Sequence, residues 1–129
     1  MLRRQEVEHW LRRYERAWRS PGTAALRDVF TAEADYRQSP YHEPAVGLAA
    51  IGALWERERE GPDEEFTMES EIVAVEGDTA VVRVEVRYGE PPAREYRDLW
   101  VVRFAEGLCS DFEEWPFWPD RPYAAPRDE

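Results

Sequence analysis

The chain has 129 residues, enough for one domain, since compact domains most often run to about 100–150 residues. Its 17 basic and 28 acidic residues give a net charge of −11, which argues against nucleic acid and anionic membrane surfaces as partners. Every basic residue is Arg and none is Lys, so Schiff-base chemistry on a lysine is excluded.

From the N-terminus, residues 3–19 predict an amphipathic helix. Val7, Trp10, Leu11, Tyr14 and Trp18 form one stripe of a 3.6-residue period, with Arg12, Arg13, Glu15, Arg16 and Arg19 around it. Ser20-Pro21-Gly22 breaks that helix, and a short second helix follows with Leu26, Val29 and Phe30 inward. Residues 32–38 suit a short strand. Ser39-Pro40-Tyr41-His42-Glu43-Pro44 then reads as a fixed loop, because two prolines four apart prevent a helix. A third helix is expected over about 46–60, with Leu48, Ile51 and Trp55 inward, Glu56 to Glu60 solvated and Gly61-Pro62 as its stop. The Asp63-Glu64-Glu65 run after it reads as solvated.

Beyond Glu65 the period becomes two, as in strands. Phe66, Met68, Ser70, Ile72 and Ala74 share a face of the first long strand. After a turn at Gly77-Asp78, Ala80, Val82, Val84, Val86 and Tyr88 line the next. Glu90-Pro91-Pro92 separates it from a third, which groups Tyr96, Asp98, Trp100, Val102 and Phe104. Two turns compete at Ala105-Glu106-Gly107. A three-residue loop pairs Phe104 with Leu108, Trp100 with Phe112 and Asp98 with Glu114; a two-residue Glu106-Gly107 turn flips the last strand by one face. The three-residue loop is preferred because it turns Phe112 inward and Asp111 outward. From Pro116 the tail holds four prolines without a period. It is either loosely ordered or lays Phe117, Trp118 and Tyr123 over a neighbouring surface.

The order of these elements and several local words resemble the NTF2-like superfamily, in particular its SnoaL-like branch. The words are Trp10-x3-Tyr14-Glu15-x-Ala17-Trp18, Asp28-Val29-Phe30, Tyr36-x2-Ser39-Pro40-Tyr41 with Gly47 and Ile51, and Gly107 to Phe112-Glu113-Glu114-Trp115. The resemblance covers residues 5 to about 116. It implies an α+β cone with three N-terminal helices packed in a curved antiparallel β-sheet and a pocket at the wide end. It also implies a homodimer through the convex sheet face, where Val81, Leu99 and Val101 mix with Arg83, Glu85 and Arg97. The expected organisation is a domain over residues 1–116 and a Pro-rich tail over 117–129. Function has to come from the residues, because one fold hosts many activities.

Asp98 sits between Tyr96 and Trp100 on an otherwise apolar strand face. A carboxylate losing hydration there suits general acid or base work, or it braces the pocket by accepting hydrogen bonds. Glu114 falls on the same face, where two close carboxyls share a proton or titrate apart; a rim glutamate paired with an arginine is the other reading. Glu114 is similar in position to the acidic residue on the last strand of limonene-epoxide-hydrolase-like members. Their Arg and Asp on an earlier strand correspond to Val84 and Val86 here, so that set is incomplete. Tyr14 resembles the oxyanion-hole tyrosine of ketosteroid isomerases, but Ser39 stands at their base position and Trp100 at their second aspartic acid. Neither activity is carried over.

The remaining candidates are ligand contacts. Tyr14, Tyr36, Tyr41 and Tyr88 offer hydroxyls to a ligand or serve as wall. Trp18, Trp55, Trp100 and Phe112 supply an apolar floor or plain core. Ser39 and His42 lie in the loop expected at the pocket mouth, where His42 either titrates or is simply exposed. His9 lies off the helical stripe. Cys109, the single cysteine, excludes an internal disulfide and reads as a small core residue. No spacing suits a transition metal, a phosphate loop or a dinucleotide, so no cofactor is expected. No apolar run reaches the roughly 20 residues that span a bilayer, and the opening Met-Leu-Arg-Arg-Gln-Glu lacks an apolar leader; a cytoplasmic location is expected. The pattern favours a protein that binds a small apolar, possibly polycyclic molecule. A cofactor-free cyclase, isomerase, dehydratase or hydrolase using Asp98 and Glu114 is the alternative, and a protein-interaction module the third.

Overall fold

The computed structural model describes residues 1–59, 65–89 and 94–120. Helix α1 spans Arg4–Arg19 and buries Val7, Trp10, Leu11, Tyr14 and Ala17. Ala17 takes the innermost place at the end of the stripe, and Trp18 is half-buried beside it. Glu6 Oε1 accepts the Arg3 backbone N–H at 2.8 Å, satisfying one donor at the helix start. At the other end the Arg59 guanidinium donates to the carbonyls of Ala17, Trp18, Ser20 and Gly22.

The second helix expected from the sequence is a single 3₁₀ turn, Ala24–Asp28. Residues 22–29 connect Pro21 to the strand that starts at Phe30, and the helical part of that connection is the five residues Ala24–Asp28. The other helix, α2 (Leu48–Glu58), follows a strand, so among the described residues there are two α-helices rather than three at the N-terminus. The helix ends at Glu58; the Gly61-Pro62 stop and Asp63-Glu64 lie outside the described residues, and Glu65 is exposed.

Among the described residues six strands follow the order β2-β1-β6-β5-β4-β3. They are β1 (Phe30–Arg37), β2 (Ala45–Val46), β3 (Phe66–Glu76), β4 (Thr79–Tyr88), β5 (Arg94–Ala105) and β6 (Leu108–Phe117). The β3 to β6 run is antiparallel, but β1 pairs parallel with β6, so the sheet is mixed. The Cys109 N–H donates to the Val29 carbonyl at 2.8 Å where that parallel pairing begins. The short β2 had no signal in the sequence. The Glu90-Pro91-Pro92 connection lies outside the described residues.

Bulges in β3 and β6 set which residues of those strands face the helices. In β3, Ile72 pairs with Val82 but Ala74 pairs with Val81, so Val73 is the extra residue. Val75 then packs on the core and Ala74 is exposed, a correction to the uninterrupted alternation expected there. The second bulge is in β6. The chain turns through two residues, Glu106 (φ 54°) and Gly107 (φ 84°), with Ala105 opposite Leu108. Left-handed backbone at both central positions matches the twist of a tight hairpin, and glycine adopts it without strain. This is the two-residue turn, not the preferred three-residue loop. The flip it would cause is cancelled at Ser110, which bulges between the Phe104–Cys109 and Arg103–Asp111 pairs. Phe112 and Glu114 therefore keep the inward side, with partners shifted by two. Trp100 faces Glu114, Val102 faces Phe112 and Asp98 faces Pro116.

The core lies between α1, α2 and the concave sheet face. Trp10 is fully buried at its centre, with Phe104 at 5.3 Å and Tyr14 at 5.5 Å between ring centroids. Its indole N–H donates to the Val29 carbonyl at 2.9 Å, so the ring is buried without an orphaned donor.

Candidate functional site: an aromatic cavity over a carboxyl pair

At the far end of this core a cavity of about 270 Å³ remains between α1, α2 and the sheet. It is near the lower end of the roughly 300–1,000 Å³ usual for small-molecule sites. Its inner wall is Tyr14 from α1, Tyr36 from β1 and Trp100 from β5, all buried. Its outer wall is Trp18, Phe66, Tyr88, Tyr96 and Trp118. Behind the inner wall Phe112 stacks on Tyr36 at 4.8 Å, and Trp55 packs edge-on to Trp18 at 4.7 Å. Phe112 and Trp55 are core beneath the cavity rather than lining.

Asp98 and Glu114 are the polar centre. Asp98 is 3% exposed, the one buried charged residue of the described core. Its Oδ2 accepts the Trp100 indole N–H at 2.9 Å, while its buried Oδ1 finds no N–H or hydroxyl donor. The carboxyl beside it is Glu114, which lines the cavity. Although they are not directly opposed in the ladder, their positions two apart on one face bring the side chains into hydrogen-bond contact. Burial raises the Asp98 pKa, against hydrogen bonds from Glu114, Trp100 and the Trp115 backbone. Burial and then the neighbouring Asp98 hold Glu114 well above the ordinary carboxylate range. A proton carried by Glu114 and donated to Asp98 satisfies the orphaned Oδ1 and removes one of two adjacent charges.

The hydrogen-bonded chain extends further. Tyr14 and Tyr36 are hydrogen-bonded, and Tyr36 contacts Glu114. Burial raises both phenols well above their ordinary value, so they stay protonated. The series runs Tyr14, Tyr36, Glu114, Asp98, with the Trp100 indole N–H closing it.

Of the sequence candidates, Tyr14, Trp18, Tyr36, Tyr88, Trp100 and Glu114 share the cavity, and Asp98 sits behind Glu114. Ser39, Tyr41 and His42 are outside the lining. Their turn closes on itself, with the Ser39 hydroxyl taking the Tyr41 N–H at 3.3 Å and the Ser39 carbonyl the His42 N–H at 3.1 Å. Tyr41 is 98% exposed and His42 is exposed. His9 is exposed on α1, and Cys109 is fully buried, its thiol pushed up by burial.

Several lining residues were missed. Phe66, Met68, Val86 and Tyr96 already stood on concave faces in the two-residue alternation, so the signal was present. Gln38 and Glu58 meet from the ends of β1 and α2, where Gln38 Nε2 donates to Glu58 at 2.6 Å; nothing local marks that meeting. Trp118 was not missed in the same way: it lies 4.8 Å from Tyr96, over a neighbouring surface as one of the two readings of the tail has it, because β6 continues through Phe117. Tyr123 is outside the described residues.

Among the described residues no group of three His, Cys, Asp or Glu side chains is placed to hold a metal ion. No helix of the described residues is long and apolar enough to cross a membrane.

Comparison with known proteins agrees with this geometry at the level of fold. A protein from Jannaschia sp. CCS1, assigned as a SnoaL-like polyketide cyclase, superposes with a TM-score of 0.69 at 22% identity, covering 87% of this chain and 85% of that one. A protein from Kribbella flavida DSM 17836, assigned as a ketosteroid isomerase, gives 0.64 at 18%, covering 97% and 86%. A de novo designed protein with a curved β-sheet gives 0.65 at 14%, covering 88% and 86%. At these identities the likeness shows the shape alone. A search of curated proteins found no match. The profile of the SnoaL-like domain matches residues 11–112, and the chain therefore belongs to the SnoaL-like domain family, with the NTF2-like α+β fold.

Proposed function

We propose that the protein binds a small, ring-bearing apolar molecule in the cavity, with Glu114 as its polar anchor. The observation that carries this is the cavity itself, walled by aromatic rings where a small domain normally packs its core solid. Its volume is roughly nine times a water molecule's share of the liquid. One or two rings fit inside, and a larger polycyclic ligand would extend past Trp118. Trp18, Trp100 and Trp118 all touch this space, so occupancy is expected to change tryptophan emission saturably. Unchanged emission across compounds of this kind, in protein that unfolds cooperatively, would contradict the proposal.

A second reading is favoured by the shared proton. Glu114 and Asp98 together can deliver a proton to a bound carbonyl, enol or epoxide oxygen and take one back, which is the work of a cofactor-free cyclase, isomerase, dehydratase or hydrolase. The names of the Jannaschia and Kribbella proteins lean the same way. This reading expects turnover with a bell-shaped pH profile that Glu114→Gln and Asp98→Asn each shift or abolish. Unaltered turnover in the double variant would remove the pair from the chemistry.

A further inference from the structure

The charges around the cavity are one-sided. Glu114 and Glu58 line it and Asp98 backs it, while none of the described lining residues is Arg, Lys or His. Among the described residues Arg19 and Arg59 approach rings of the wall, but neither lines the cavity. Arg19 lies over the Phe66 ring at 3.9 Å and pairs with Glu15, and Arg59, 5.8 Å from the Trp18 ring, donates to carbonyls at the end of α1. The outer wall is a connected run of rings. Phe66 and Tyr88 are 5.8 Å apart, Tyr88 and Tyr96 6.4 Å, Tyr96 and Trp118 4.8 Å. Ring faces attract cations, most strongly where water is partly excluded, and quaternary ammonium groups are held in such enclosures. The net charge of −11 draws cations toward the molecule as a whole.

From this arrangement we infer that the cavity takes a ligand bearing a protonated or quaternary amine, its head among Tyr88, Tyr96 and Trp118 and facing Glu114. The inference rests on the reading of the cavity as a ligand site. A cation there stabilises the ionised form of Glu114, so binding expels the proton shared with Asp98. The other titratable groups facing Glu114 are Tyr14 from α1, Tyr36 from β1, Tyr96 from β5 and Glu58 from α2, with Tyr88 from β4 across the cavity. Burial keeps Tyr14, Tyr36 and Tyr96 protonated, leaving the carboxyls to respond.

The test compares benzyltrimethylammonium with neopentylbenzene, its uncharged isostere, by quenching of tryptophan emission in the full chain. The ammonium is expected to bind about tenfold tighter or more. Glu114→Gln should shrink that preference to a few-fold. Trp118→Leu, on a half-exposed ring, should weaken the ammonium more than the neutral probe and serves if Glu114→Gln fails to fold. Calorimetry of the wild-type protein in two buffers of different ionisation enthalpy should show proton release on binding the ammonium. Equal affinity for the two probes, or tighter binding of the neutral one, overturns the amine ligand and leaves the cavity as a ligand site. Binding of neither overturns both readings.

Discussion

Replacing Glu114 by Gln should make stability less dependent on pH, in a direction and size that follow from the carboxyl pair. In the folded protein Glu114 keeps a proton that the unfolded chain releases near the ordinary glutamate pKa of about 4.3. A native state that binds more protons than the unfolded one loses stability as pH rises. The loss begins above the unfolded value and continues until the pair itself titrates, at about 1.4 kcal/mol per pH unit for one retained proton. Gln has nearly the same shape, never ionises, and offers an amide N–H to Asp98 in place of the Glu114 proton. Wild type and variant should therefore have similar stability near pH 4. The variant should then gain on the wild type at that rate for as long as the pair keeps its proton. Burial also raises Asp111, against the pull of Arg37, but that contribution is present in both proteins and cancels in the difference. Urea unfolding followed by tryptophan emission, at fixed ionic strength from pH 4 to 8, gives both curves. Parallel curves would refute the shared proton, since then nothing held at Glu114 differs between the folded and unfolded chains.

Trp10→Phe leaves the Val29 carbonyl without its indole donor inside the core, and should cost about 1–3 kcal/mol in a urea melt, with secondary structure retained by circular dichroism. Arg59→Leu frees the carbonyls of Ala17, Trp18, Ser20 and Gly22 from a guanidinium whose side chain is 8% exposed. A loss of about 2–3 kcal/mol is expected, and amide exchange should accelerate first in the last turn of α1. On the convex sheet face Val81 pairs with Val101 and Leu99 with Trp115, which is 40% exposed. We propose that this apolar row joins two copies; sedimentation should then give a dimer for the wild type and a monomer for Leu99→Glu.

What could be read in the sequence was what depends on periodicity. The stripe from Val7 to Tyr14 buries where the 3.6-residue period puts it, and Ala80 to Val86 lie inward as the alternation requires. That alternation also put Asp98, Trp100 and Tyr96 together. What escaped depends on single residues that shift a register or on long-range pairing. Neither Val73 nor Ser110 has a side chain that marks a bulge, and a bulge reverses every later assignment on its strand. Glu114 faces inward as expected, but through a tight turn and a compensating bulge rather than a longer loop. The parallel pairing of β1 with β6 links residues about 75 apart, and local patterns carry no trace of it. The Ser39 to His42 turn follows directly on Gln38, which lines the cavity, while Ser39, Tyr41 and His42 are not themselves among the lining residues.

The most direct test of the cavity as a ligand site is a thermal-shift screen of ring-bearing carbonyl, epoxide, polycyclic and amine compounds against wild type and Val86→Phe. Val86 lines the cavity from β4, and the larger ring should occupy it. The expected result is a ligand that, at about 100 times its dissociation constant, adds about 2.7 kcal/mol to wild-type stability and nothing to the variant. Silence across the panel, or an equal rise in both proteins, would contradict it.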